Sequence, residues 1–243
     1  MDLTRTVLAG TALYAALFLP SASGAIYGFT CIPASGGGCA VNAASQLTVE
    51  VTASTIGAAN AVSFVFRNTG AIDSVITSIY WDDRTGSANA ANQYLNFGTN
   101  AVGGGASQGV SYIGSLQSPG NLPRGSTISP AFVEDAEAAP NSKGGTANNG
   151  VQEGITAGAD ALEVRIALLN TRTFSDVLAG IENGTLRIGF HLQGLNCTGF
   201  TACQASDPYV NGTSPVPEPG SYVVLSLGLV TVAWSQRRRF SQS

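Results

Sequence analysis

Leu162-Glu163-Val164-Arg165-Ile166-Ala167-Leu168 and, further on, Leu186-Arg187-Ile188-Gly189-Phe190-His191-Leu192 each place an apolar side chain at every second position. A period of two belongs to an extended strand with one buried face, and no helix reproduces it. Working outward, Leu47, Val49 and Val51 repeat the pattern, and so do Val62, Phe64 and Phe66. Residues 72–81 are apolar on both phases, with Val75, Ile79 and Trp81 on one and Ile72, Ile76 and Tyr80 on the other. That predicts a strand covered on both sides. Tyr94-Leu95-Asn96-Phe97 and Val110-Ser111-Tyr112-Ile113 read as shorter strands, and Asn68-Thr69-Gly70 and Asp82-Asp83-Arg84-Thr85-Gly86 supply turns. A single helix is predicted over 174–182. Thr173 can cap it, Asp176 stands three residues on in a capping-box place, and Asn183-Gly184 stops it. Repeated short strands with Gly and Asn turns predict a mainly β fold, an antiparallel β-sandwich with one short helix. A long Pro- and Gly-rich loop, 117–159, separates the two halves, and loops of that length are more often functional or disordered than inert.

Composition narrows the function. Only 11% of the 243 residues are charged, against about 25% in ordinary soluble domains. Fifteen acids face 11 bases, for a net charge of −4, so no basic surface is available for a nucleic-acid backbone. His191 is the only histidine, which excludes a zinc site built on several histidines and confines histidine-dependent catalysis to one position. The alternation around it puts His191 on the polar face with Arg187, as an exposed structural side chain. A nucleophile elbow of the Gly-x-Ser-x-Gly kind does not occur.

The two ends read as addresses rather than as parts of the fold. An apolar run from Val7 to Leu19 is broken by Pro20, and Ser21-Ala22-Ser23-Gly24-Ala25 offers small residues at spacing two, which suits signal peptidase. Residues 1–24 are therefore expected to be a signal peptide. At the other end Val216-Pro217-Glu218-Pro219 leads into 16 uncharged residues, 220–235, and then Arg237-Arg238-Arg239. The prolines keep Glu218 extended and accessible. The uncharged run, flanked by arginines that stop transfer and stay cytoplasmic, predicts one short transmembrane helix. Between these ends lie an expected β-sandwich domain, 25–205, and a linker, 206–216, with 217–243 as the tail. Residues 25–215 hold 13 acids and 7 bases, a net charge of −6.

Pro217-Glu218-Pro219, a single short span and a closing Arg cluster resemble the PEP-CTERM sorting signal of Gram-negative bacteria. The resemblance covers roughly residues 216–240. It implies that the tripeptide is a substrate motif for exosortase, an intramembrane cysteine transpeptidase-like enzyme, and that the span is transient. It further implies export across the inner membrane and a destination at the cell surface or in an extracellular, exopolysaccharide-associated matrix. Tyr80-Trp81-Asp82-Asp83, Gly120-Asn121-Leu122-Pro123 and the stretch from Thr173 through Gly194 resemble a globular domain that recurs ahead of such tails.

Each chemically suggestive feature has a plainer reading beside it. Cys31, Cys39, Cys197 and Cys203 all lie in the exported part, where disulfides persist. Three pairings are possible; the two local ones would close small loops, and neither pair has zinc-knuckle spacing. Asp82 and Asp83, with Glu134, Asp135 and Glu137, could offer oxygen ligands to a low-affinity calcium ion or serve as an acidic pair for hydrolysis, and otherwise are solvated turns. Tyr80 and Trp81 could form a sugar-stacking platform, and otherwise pack in or beside the core. The expectation is a non-enzymatic exported protein without a cofactor. A carbohydrate-binding module and a hydrolase with an acidic pair are the alternatives. The expected partners are exosortase, the membrane before processing, and exopolysaccharide.

Overall fold

A computed structural model describes residues 24–40, 42–72, 74–83, 93–141, 155–156, 158–169, 171–195 and 205–216. The strands are β1 (Ala25–Cys31), β2 (Leu47–Ile56), β3 (Ala59–Asn68), β4 (Val75–Asp82), β5 (Leu95–Val102), β6 (Ala136–Ala138), β7 (Ile155–Thr156), β8 (Ala161–Leu168), β9 (Arg187–Gln193) and β10 (Asp207–Pro215). One helix, α1 (Phe174–Glu182), precedes β9. All described pairings are antiparallel, in the order β5-β8-β3-β2-β1-β10-β9-β4-β6, with β7 against β4.

This single sheet folds over so that its two halves face one another. Trp81 of β4 stands edge-on to Phe64 and Phe66 of β3, with ring centroids 5.9 and 5.8 Å away, although four strands separate β3 from β4 along the sheet. Phe29, Phe190 and Tyr209 extend the same core, in which Leu47, Val49, Val51, Leu162, Val164, Ile166, Ile188 and Leu192 are all buried. The open side is bridged by residues 103–117. Gln108 pairs with Ala161 of β8, Tyr112 with Pro140, and Gln117 with Glu137 of β6, so the sheet nearly closes.

The alternating segments become β2, β3, β8 and β9, and the two-phase segment becomes β4. β4 is covered inside by the core and outside by residues 117–135, where Tyr80, Leu122, Phe132 and Ile32 form a second, smaller cluster. Gly189 of β9 makes this cover possible, because a Cβ there would lie 2.6 Å from Leu122 and 3.2 Å from the Phe132 ring. The helix has the expected bounds. Thr173 accepts from the Asp176 amide, Asp176 accepts from that of Thr173, and Gly184 takes φ +70 just beyond the C-cap.

Two expectations need correction. Residues 110–113 are not a strand; Gly109 at φ +73 turns the chain, which crosses the gap with one bridge at Tyr112 rather than running along an edge. Residues 206–216 are not a linker, because Asp207–Pro215 forms β10 between β1 and β9. Asp, two Pro, Asn and Gly disfavour a strand there, but β1 and β9 both present unpaired backbone groups to the gap that β10 fills.

Candidate functional site

The residues singled out for chemistry separate into two ends of the sheet. At one end β4 finishes in Trp81-Asp82-Asp83. Trp81 is wholly buried and Tyr80 is 5% exposed, so neither ring presents a face to a sugar. Trp81 points into the main core and Tyr80 into the outer cluster, where burial, followed by the nearby Glu137 carboxylate, pushes its phenol up to about 12.

Asp82 and Asp83 are 0% and 1% exposed, not solvated turn residues. Asp82 pairs with the Arg187 guanidinium and accepts the Val133 N–H at 3.0 Å. Arg187 in turn donates to the Pro130 and Ala131 carbonyls at 2.6 Å each and lies over the Phe132 ring. Arg187 is therefore buried, which corrects its placement on a polar face with His191; the loop 117–135 covers that face of β9. Asp83 accepts the Tyr94 and Leu95 N–H groups at 2.8 and 2.9 Å, and its own N–H donates to Asp135 at 2.9 Å. Burial raises the Asp83 carboxyl to about 7, the two N–H donors oppose the rise, and Asp135 and Asp82 add to it. Glu134 takes the Leu122 N–H at 2.6 Å and Glu137 the Gly120 N–H at 2.8 Å. Each of these acids anchors backbone of the 117–141 segment or of β5, so the calcium and hydrolase candidates serve as loop ties.

At the opposite end of the sheet Cys31 and Cys39 are joined in a disulfide. Cys197 and Cys203 lie outside the described residues. A carboxylate oxygen of Asp207 stands within 4.8 Å of both bonded sulfurs, and Asp207 accepts from Ala40 N at 2.6 Å and Arg124 Nη2 at 2.5 Å. With the thiols bonded to each other, this cluster ties the disulfide loop and the 117–135 segment to the start of β10. His191 is nearby and half-buried. Burial, then Arg124, hold its imidazole below the ordinary value against Asp207, and its Nδ1 is 3.2 Å from Gln193 Nε2.

The remaining candidate is where the chain leaves the fold. Tyr27 of β1 is registered with Pro215 of β10, and the Val216 N–H donates to the Ile26 carbonyl at 2.6 Å. β1 begins at Ala25, the first residue after the expected signal peptide, while the Pro-Glu-Pro tripeptide begins at Pro217. The described residues that adjoin the two expected processing points, Ala25 and Val216, therefore lie close together, since Val216 bonds to the neighbour of Ala25 in β1. Pro217, Glu218, Pro219, Arg237, Arg238, Arg239 and the segments expected as signal peptide and span lie outside the described residues. Among the described residues no helix is long and apolar enough to cross a membrane.

The class the fold and exit geometry define is a β-sandwich carrying a C-terminal address. The model of the PEP-CTERM protein-sorting motif matches residues 215–239, so the C-terminal stretch of the chain is similar to that sorting motif. No curated protein and no solved structure matches the chain. Sequence reasoning located the tripeptide but missed that the motif starts inside β10, since its first residue, Pro215, is still paired with Tyr27.

Proposed function

We propose that this protein is a non-enzymatic structural component of the cell surface or extracellular matrix, exported, held at the inner membrane by its C-terminal span, and processed by exosortase at Pro217-Glu218-Pro219. The sorting motif at 215–239 carries this reading. Three further observations support it. The carboxylates that could have served hydrolysis are engaged with Arg187 and with backbone N–H groups. The aromatic pair that could have stacked on sugar is buried. The disulfide and the nearly closed sheet suit a domain that must persist outside the cell. Association with exopolysaccharide follows from the sorting family rather than from a glycan site in the domain.

The test is expression of the full chain in a host with and without its exosortase, followed by intact-mass measurement of the product. Loss of the tail near Pro217 only when the enzyme is present is the expected outcome. A tail retained at full length in both strains would overturn the reading.

A further inference from the structure

Taking the sorting role as given, the physical difficulty is access. An enzyme that cleaves an extended peptide must hold residues on both sides of the scissile bond, and a chain already paired in a sheet cannot also lie in its cleft. Yet Val216, the residue before Pro217, is hydrogen-bonded to Ile26. β10 is built in two unlike parts. From Asp207 to Val210 it is paired with β9, and from Tyr209 to Asn211 with β1, while the Ile32 N–H donates to the Pro208 carbonyl at 2.9 Å. Asp207, Pro208 and Tyr209 are buried, Tyr209 stacks on Phe190, and Asp207 holds Arg124. Asn211 closes this part, its side-chain oxygen accepting the Ile188 N–H at 2.6 Å.

Beyond Asn211 the strand changes. Phe29 faces Asn211 but Tyr27 faces Pro215, so β10 uses four residues where β1 uses two, a bulge in the ladder. Thr213, Ser214, Pro215 and Val216 are all exposed, and Pro215 has no N–H to give to β1. β1 is their only partner strand among the described residues.

We infer that Gly212–Val216 is a releasable spacer, parked on β1 in the folded domain and peeled away when the sorting motif is processed, with Asn211 as the point where peeling stops. Release frees five residues, about 16 Å of extended chain, without touching the buried part of β10. The domain stays folded while the motif enters the enzyme. Signal-peptide removal at the neighbouring strand end and tail removal then act on one corner of the sheet.

Two measurements on the full chain test this. In hydrogen exchange, the amides of Thr213, Ser214 and Val216 should exchange at least about 100-fold faster than those of Tyr209 and Val210; equal protection would overturn the spacer. Second, Val216 follows Pro215, the partner of Tyr27, and its N–H bonds to the Ile26 carbonyl, which brings Ile26 and Val216 within reach of a disulfide. The I26C/V216C pair, oxidised, should block processing by exosortase, and reduction should restore it. Processing of the stapled form at the unstapled rate would overturn the inference. If the unmodified chain is itself never processed, the sorting role fails, while the exchange measurement still decides whether the segment is released.

Discussion

Asp83 shows how one side chain can be read as a ligand and serve as a tie. Its carboxyl is folded against the N–H groups of Tyr94 and of Leu95, the first residue of β5, and away from water, and burial raises it to about 7. An unfolded aspartate titrates near 3.9, so the folded state binds this proton more tightly than the unfolded chain does. The resulting stabilisation is complete below about pH 4 and is lost as pH rises through 7. Asp83→Asn keeps a neutral acceptor for Tyr94 and Leu95 but removes the titration. The variant should match the parent near pH 4 and exceed it at pH 8 by on the order of a few kcal/mol. Thermal midpoints of both proteins measured across that range check it, and parallel curves would remove Asp83 as the cause. Asp82 differs because a buried arginine answers its charge, and a buried pair is costly chiefly when one partner is lost.

Among the elements, α1 is the one whose bounds follow from local chemistry alone. Thr173, Asp176 and Gly184 each satisfy or end a specific set of backbone groups within a few residues, so no distant partner has to be known. Thr173→Ala should cost about 1 kcal/mol and lower the thermal midpoint by about 2–4 °C, with the fold unchanged by circular dichroism. β2, β8 and β9 were legible for a related reason, since period-two alternation records a single buried face. β10 was not, because its residues are poor strand formers and the two strands that recruit it come from opposite ends of the sequence. Composition marked 117–159 as a long loop, but β6 and β7 lie within it, too short to leave a periodic signal. That residues 117–135 are pinned over β4 and β9 by Asp82, Glu134, Glu137 and Arg187 could not be read from composition, since every tie except Glu134–Leu122 and Glu137–Gly120 reaches across the fold.

For the molecule as a whole, the decisive relation is that β1 and β10 are neighbours, so the domain enters and leaves at one corner. Joining Val216 to Ala25 through a short Gly-Ser linker and reopening the chain between Gly36 and Gly37, inside the loop closed by Cys31–Cys39, should give a permutant that folds. The expected result is a single cooperative unfolding transition with the Cys31–Cys39 bond intact. A permutant that fails to fold, beside a parent that does, would contradict the adjacency of the two ends.

The amino-acid sequence by itself determined the mainly β class, the helix and its cap, the exclusion of a multi-histidine site, and the match to the sorting motif. These depend on period, composition and contiguous motifs, which are local properties of a chain. Only the tertiary structure decided what Tyr80, Trp81, Asp82, Asp83 and Arg187 do, that β10 is a strand, and that Val216 is still bonded to β1. Burial and pairing are relations between residues distant in sequence, and an acid beside a turn looks the same in a sequence whether it meets water, a cation or a buried arginine.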